Sequence, residues 1–145
     1  MPRIEHTDFY SHILGISVPV EITGHYGYPV LMFPTSQGSY TQNHDFKLNE
    51  SISWFTNEGR LKLYNVQTID KLSLYNKNIH PAERIRNYEL FVQFLVKEYV
   101  PYLQKQHQTH RIAIAGASFG GYHSANFAFR FPDLVSHLFL SLIHI

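Results

Sequence analysis

The string Gly116-Ala117-Ser118-Phe119-Gly120 constrains this chain more than any other, because of what flanks it. Before it, Arg111-Ile112-Ala113-Ile114-Ala115 is a short apolar run with β-branched residues, the pattern of a buried strand. After it, Phe119 to Arg130 reads as a helix that stops ahead of Pro132, since the residue before a proline is pushed out of the helical region. A serine at such a strand-to-helix junction is thrust outward with its hydroxyl above the sheet edge, the G-x-S-x-G "nucleophile elbow". Three fixed letters recur by chance at roughly 3 in 10,000 positions, so the flanking elements carry more weight than the motif. Gly116 and Gly120 let strand and helix backbones approach, and Ser118 takes the strained turn between them. The bland alternative is a glycine-rich turn whose serine merely caps the helix.

The upstream pattern alternates strands and helices. Ile13, Ile16, Val18, Val20 and Ile22 alternate over residues 11–22, and Pro19 predicts an edge strand there. Pro29 to Phe33 is wholly apolar and predicts a central strand, followed by a polar loop over 34–43. Residues 48–58 predict a short helix stopping at Gly59, then a strand over 61–66 and an irregular surface stretch over 67–79. Pro81 suits a first helical position. Beyond it Ile85, Tyr88, Val92, Leu95, Val96, Tyr99 and Leu103 share one helical face, interrupted at Pro101. A last strand is expected over 137–142. This order predicts an α/β fold, a mostly parallel sheet with helices on both faces, in a single domain spanning 1–145.

Composition narrows the function classes. Hydrophobic residues at 44% against 16% charged predict a globular chain. A net charge of +1 without basic runs gives nucleic acid no electrostatic footprint. No apolar stretch approaches the roughly 20 residues of a membrane span, and residues 1–6 lack an apolar signal core. The absence of cysteine removes thiol catalysis and fits a cytoplasmic location. Ten histidines invite a metal-site reading, but the tight pairs His6/His12 and His107/His110 lack the H-E-x-x-H arrangement, so no metal site is assigned.

Residues 98–135 resemble an esterase family of α/β-hydrolases that includes S-formylglutathione hydrolases, antigen-85-type mycolyltransferases and feruloyl esterases. The likeness rests on Glu98-Tyr99-Val100-Pro101-Tyr102-Leu103, Arg111 to Ala115, the elbow Gly116 to Gly121, and Phe131-Pro132-Asp133-Leu134. With the upstream order of elements it extends over roughly 28–140. The resemblance implies a serine carboxylic-ester hydrolase in which Ser118 forms an acyl-enzyme, with no cofactor and a small-molecule ester as substrate. It implies an oxyanion hole of two backbone N–H groups, from Phe119 and, by ungapped alignment of the Pro29-Val30-Leu31 strand, from Gln37. Where the family commonly has a glycine before that second donor, this chain has Ser36.

The serine needs a general base oriented by a carboxylate, and in α/β-hydrolases these follow the serine as Asp or Glu, then His. The chain ends at residue 145, so only 27 residues follow Ser118. Asp133 matches a structural turn of the family. His25, His44, His123, His137 and His144 are the scattered alternatives, with His123 expected to face away from the hydroxyl. Leu142 to Ile145 stand where the family usually shows a Ser-Gly pair. The sequence therefore reads as an N-terminal part of the fold, truncated after the strand that follows the nucleophile helix. The triad acid and histidine are missing from it, and the last four residues depart from the family. An unpaired last strand predicts a homo-oligomer through that edge. The alternative function is a catalytically silent fragment acting through association. Tyr40, Trp54, Phe55, Tyr64 and Tyr75 are candidates to line a pocket or to fill the core.

Overall fold

A computed structural model describes residues 3–45 and 47–141, with His44 and Asp45 described by backbone alone. β1 (Ile4–Ser11) and β2 (Ile16–Thr23) form a hairpin turned at Gly15, and β3 (Tyr28–Phe33) follows. Three short helices come next: α1 (Gln42–Asp45), α2 (Leu48–Ser51) and α3 (Ser53–Asn57). β4 (Leu61–Val66), α4 (Pro81–Phe94), α5 (Val100–His107), β5 (Ile112–Ala117), α6 (Phe119–Arg130) and β6 (Val135–Ser141) complete the order. The strands build one sheet, β1-β2-β4-β3-β5-β6. β3 pairs in parallel with β4 and β5, and β5 with β6, while β1 and β2 join antiparallel.

The expected edge strand over 11–22 is corrected here. β2 lies inside the sheet, and β1, which the alternation did not reveal, is the edge. Pro19 is tolerated because the β2–β4 ladder runs from Val20 to Thr23. Its missing N–H falls just past the end of that ladder, and its carbonyl still accepts from Gln67 N–H at 3.0 Å. The last strand begins two residues earlier than expected.

Alternation along the central strands sorts the core into two layers. Leu31, Phe33, Tyr64, Val66, Ile112 and Ile114 point toward the long helices and meet Phe91, Phe94, Leu95, Tyr99, Leu103 and Phe127. Each such side chain, fully withdrawn from water, contributes about 1.5–3 kcal/mol. Val30, Met32, Leu63 and Ala113 point the other way, where Ile52 between α2 and α3 packs on them. Ile85, expected on the buried face of α4, is 55% exposed; that face is turned toward Tyr88, Phe91 and Phe94.

α4 starts at Pro81, with His80 capping through Nδ1 to Ala82 N–H at 3.2 Å. A π-helical turn over Leu95–Tyr99 joins α4 to α5, with Pro101 in the first turn of α5. The wider turn accommodates the proline without ending the helical path. Glu98, from the family-like string, accepts Ile13 N–H at 2.8 Å and ties this turn to the β1–β2 hairpin.

Candidate active site

Ser118 joins β5 to α6 with φ 55° and ψ −121°, a backbone state that residues other than glycine seldom adopt. Its N–H donates to Ser141 O at 2.9 Å, and its carbonyl accepts from Gly121 N–H at 2.9 Å. The side chain makes no capping bond to the helix it begins, which removes the capping-serine alternative. The glycines are required by contact. A Cβ on Gly120 would lie 2.6 Å from Pro34 O and 2.7 Å from Phe33 O, and one on Gly116 would strike the Gly120 carbonyl. Helix α6 is thus laid directly on the end of β3.

That contact brings the loop after β3 beside the serine. In the strand order, the connection from β3 leaves toward β4 and the one from β5 leaves toward β6. The crevice between the carboxyl ends of β3 and β5 is the topological switch point where open α/β sheets bind ligands. Phe119 N–H, the first of α6, has no acceptor within the helix and adds to the positive helix end.

The loop is held by a set of polar side chains. Gln42 Oε1 accepts from Thr35 N–H and from Thr35 Oγ1, each at 2.6 Å. Gln67 Oε1 accepts Tyr40 N–H at 3.0 Å, and its Nε2 donates to Gly38 O at 3.2 Å. Gln37 takes φ 53°, and its N–H meets Asp70 Oδ2 at 3.4 Å, a long contact against the usual 2.7–3.2 Å. Tyr75 donates its hydroxyl to Ser36 Oγ at 2.9 Å. Ser36 and Gln37 themselves are exposed.

The sequence did not single out Asp70, and it offered His123 as a scattered histidine facing away from the hydroxyl and Tyr75 as a pocket or core aromatic. Residues 67–79, expected as an irregular surface stretch, contain a 3₁₀ turn over Asp70–Leu72 that buries Asp70 and Ser73. Asp70 Oδ1 pairs with His123 Nε2 at 2.8 Å, with both side chains buried. His123 is enclosed by the rings of Phe33, Phe91, Tyr88 and Phe119, the last at 4.9 Å. Tyr75 packs edge-on against Phe119 at 5.1 Å. A carboxylate, a histidine and a tyrosine 53 and 48 residues apart carry no spacing signal; only the topology unites them.

The remaining histidines are dispersed. His137 is exposed on β6 and stacks on Phe139. His25 is exposed beside Gly59, at the amino ends of the parallel strands. There a cavity of about 620 Å³ opens among Lys62, Tyr64 and His107, away from the elbow. Tyr64 shares a 2.6 Å hydrogen bond with His107 Nε2. Burial, then the nearby Lys62, holds the His107 imidazole below its ordinary pKa; burial pushes the Tyr64 phenol up. Asp133 lies exposed in the 3₁₀ turn Pro132–Leu134. The side chain of His44, and all of Leu142 to Ile145 with His144, lie outside the described residues. Among the described residues no three His, Asp or Glu side chains gather as metal ligands, and no helix is long and apolar enough to cross a membrane. Of the aromatic candidates, Tyr64 is core, Tyr75 stands at the elbow, and Phe55 lines an apolar groove of about 640 Å³. That groove runs along Val30, Met32 and Ala115 to Ala117, at the base of the elbow.

Comparison with known proteins agrees with this fold. In fold, the chain is similar to S-formylglutathione hydrolase from Staphylococcus aureus, with a TM-score of 0.66 at 14% identity over 93% of this chain and 55% of that one. It is likewise similar to a ferulic acid esterase from the anaerobic fungus Anaeromyces mucronatus, with a TM-score of 0.68 at 17% identity over 94% and 57%. A third likeness is to MPT51 of Mycobacterium tuberculosis, with a TM-score of 0.64 at 17% identity over 92% and 48%. The chain spans about half the length of these structures. No curated protein sequence matches it. The family described as Putative esterase matches residues 14–141, nearly the whole chain. With its strand-to-helix serine, its close-packed glycines and that match, the chain belongs to this esterase family.

Proposed function

We propose that this chain carries the nucleophile and oxyanion half of a serine carboxylic-ester hydrolase site. The observation that carries the proposal is the backbone of Ser118, held at positive φ with its hydroxyl unspent on capping. In the proposed reaction Ser118 Oγ bonds to the ester carbonyl carbon and gives its proton to a general base. The tetrahedral oxyanion then collapses, the alcohol departs with a proton, and water releases the acid. Phe119 N–H is the first oxyanion donor and Gln37 N–H the second. The 3.4 Å contact of Gln37 N–H with Asp70 Oδ2 is long enough for the same N–H to take the oxyanion as a second, closer acceptor. His123 is not the base in this scheme, because it is 3% exposed and its imidazole is enclosed by the rings of Phe33, Phe91, Tyr88 and Phe119. The acid and histidine of the triad come from a longer parent protein or from another chain. The substrate is a small-molecule ester, with no cofactor.

A second reading has its own observation. Phe139 and Leu140 of β6 are 58% and 48% exposed, on a strand paired, among the described residues, with β5 alone. Such an edge favours self-association, and a chain without a general base would act through it alone.

One experiment separates the two. With the acid and histidine supplied by the longer parent protein, incubation with a fluorophosphonate probe, followed by mass spectrometry, is expected to modify Ser118, with the adduct lost in Ser118→Ala. That folded protein acquiring no adduct at Ser118 overturns the hydrolase assignment and leaves the silent one.

A further inference from the structure

One buried group stands outside this scheme. Asp70 is 1% exposed and His123 3%, and of the two only Asp70 meets the candidate chemistry, through Gln37 N–H. A pair this deep costs desolvation that its own attraction repays only with good geometry and further hydrogen bonds. Here the further bond goes to the loop. Oδ1 of Asp70 takes His123 of the elbow helix, while Oδ2 meets Gln37 N–H across the crevice. Five residues on, Tyr75 repeats the arrangement. Its hydroxyl bonds Ser36 Oγ and its ring packs on Phe119. The turn is itself braced, since Ser73 N–H and Tyr75 N–H both donate to Asp70 O, at 3.2 and 2.9 Å.

We propose that residues 70–75 are a clamp that sets the separation between the two oxyanion donors, with Asp70 and Tyr75 as positioning residues acting through Gln37, Ser36 and Phe119. The inference rests on the hydrolase reading for its catalytic consequence, but the clamp itself is a statement about the loop. Each wall of the crevice is gripped twice from the same short segment. One grip is buried, at Asp70, and the other exposed, at the Tyr75 hydroxyl. An oxyanion hole is effective only when both donors are fixed before charge develops. Gln42 and Gln67 hold the loop at Thr35, Gly38 and Tyr40, and the clamp holds it between them, at Ser36 and Gln37.

The test uses the longer parent protein that supplies the acid and histidine, and two variants of it. Tyr75→Phe removes one hydroxyl at an exposed bond and leaves the ring on Phe119. The paired variant Asp70→Leu with His123→Phe removes both halves of the buried pair, so no unpartnered charge remains; such apolar replacements are often neutral in stability. Fluorophosphonate labelling of Ser118 is followed as a function of probe concentration. Alongside it, the amide resonance and exchange rate of Gln37 are read against Ile114 as an internal core reference. Tyr75→Phe is expected to label about fivefold more slowly, as one neutral hydrogen bond implies. The paired variant approaches the ~100-fold loss of a missing oxyanion donor. Both losses fall in the maximal rate and not in the half-saturating probe concentration. Gln37 exchanges faster in the paired variant while Ile114 does not.

A purely structural pair behaves differently. The paired variant then recovers both melting temperature and labelling rate, and that result overturns the clamp. Unchanged exchange and resonance at Gln37 in both variants overturns it too. Should the parent chain take no label at all, the hydrolase reading fails on that result, and the amide measurements alone decide the clamp.

Discussion

The two faces of the sheet are built to different standards. On the face under α4, α5 and α6, every central strand contributes a large side chain, and aromatic rings interlock from Phe33 through Phe91 and Phe94 to Tyr99. On the other face the same strands present Val30, Met32, Leu63 and Ala113, with Ile52 and its neighbours above them among the described residues and an apolar groove of about 640 Å³ beside them. The large interlocked side chains are therefore concentrated on one side, and the open apolar groove lies on the other.

The sharpest way to break that contrast is a pair of truncations. Phe91→Ala, at the centre of the ring cluster, is expected to cost about 3–5 kcal/mol in denaturant unfolding. Met32→Ala, equally buried but bordering the groove, belongs at the low end of its range, about 2 kcal/mol. Equal losses would mean that the groove face is as tightly packed as the other. Next in size, Gly120→Ala pushes a methyl group onto the Phe33 and Pro34 carbonyls. A cost of about 1–3 kcal/mol from overpacking should appear as a lower melting temperature, and an unchanged one would show that α6 does not rest on β3 as described.

Much of this was readable in the chain. The apolar runs at 29–33 and 112–115 located the central strands, and the proline and glycine punctuation located α3, α4 and the elbow. β1 was hidden because Glu5, His6, Thr7 and Asp8 interrupt any apolar alternation on a strand that is largely solvent-facing. Pro19 misdirected the edge assignment, since a proline one residue beyond a ladder looks the same in sequence as one on a rim. The G-x-S-x-G string was legible because its pattern is local. The contacts that unite Asp70, Tyr75 and His123 were not, because they exist only across the crevice.

Smaller effects sharpen the comparison further. Phe139→Ser on the half-paired rim is expected to shift stability by no more than about 0.5 kcal/mol while reducing self-association in sedimentation velocity. A chain that is monomeric before the change removes the association reading. The mildest effect is pH dependence at the distant cavity. His107 titrates lower in the folded chain than in the unfolded one, so the unfolded state binds the extra proton. Its contribution is complete above the unfolded pKa near 6.5 and is lost as pH falls below it. Tyr64 has the opposite sense, raised by burial, so its contribution is complete below about pH 10 and lost above. His107→Gln should flatten the acid limb of a melting-temperature profile and leave the alkaline limb in place.

The hydrogen bond from Ser118 to Ser141 links two properties that would otherwise be independent. The positive-φ turn is tethered, through one amide, to the far end of β6, so any slip of that strand along β5 would be felt at once in the geometry of the serine.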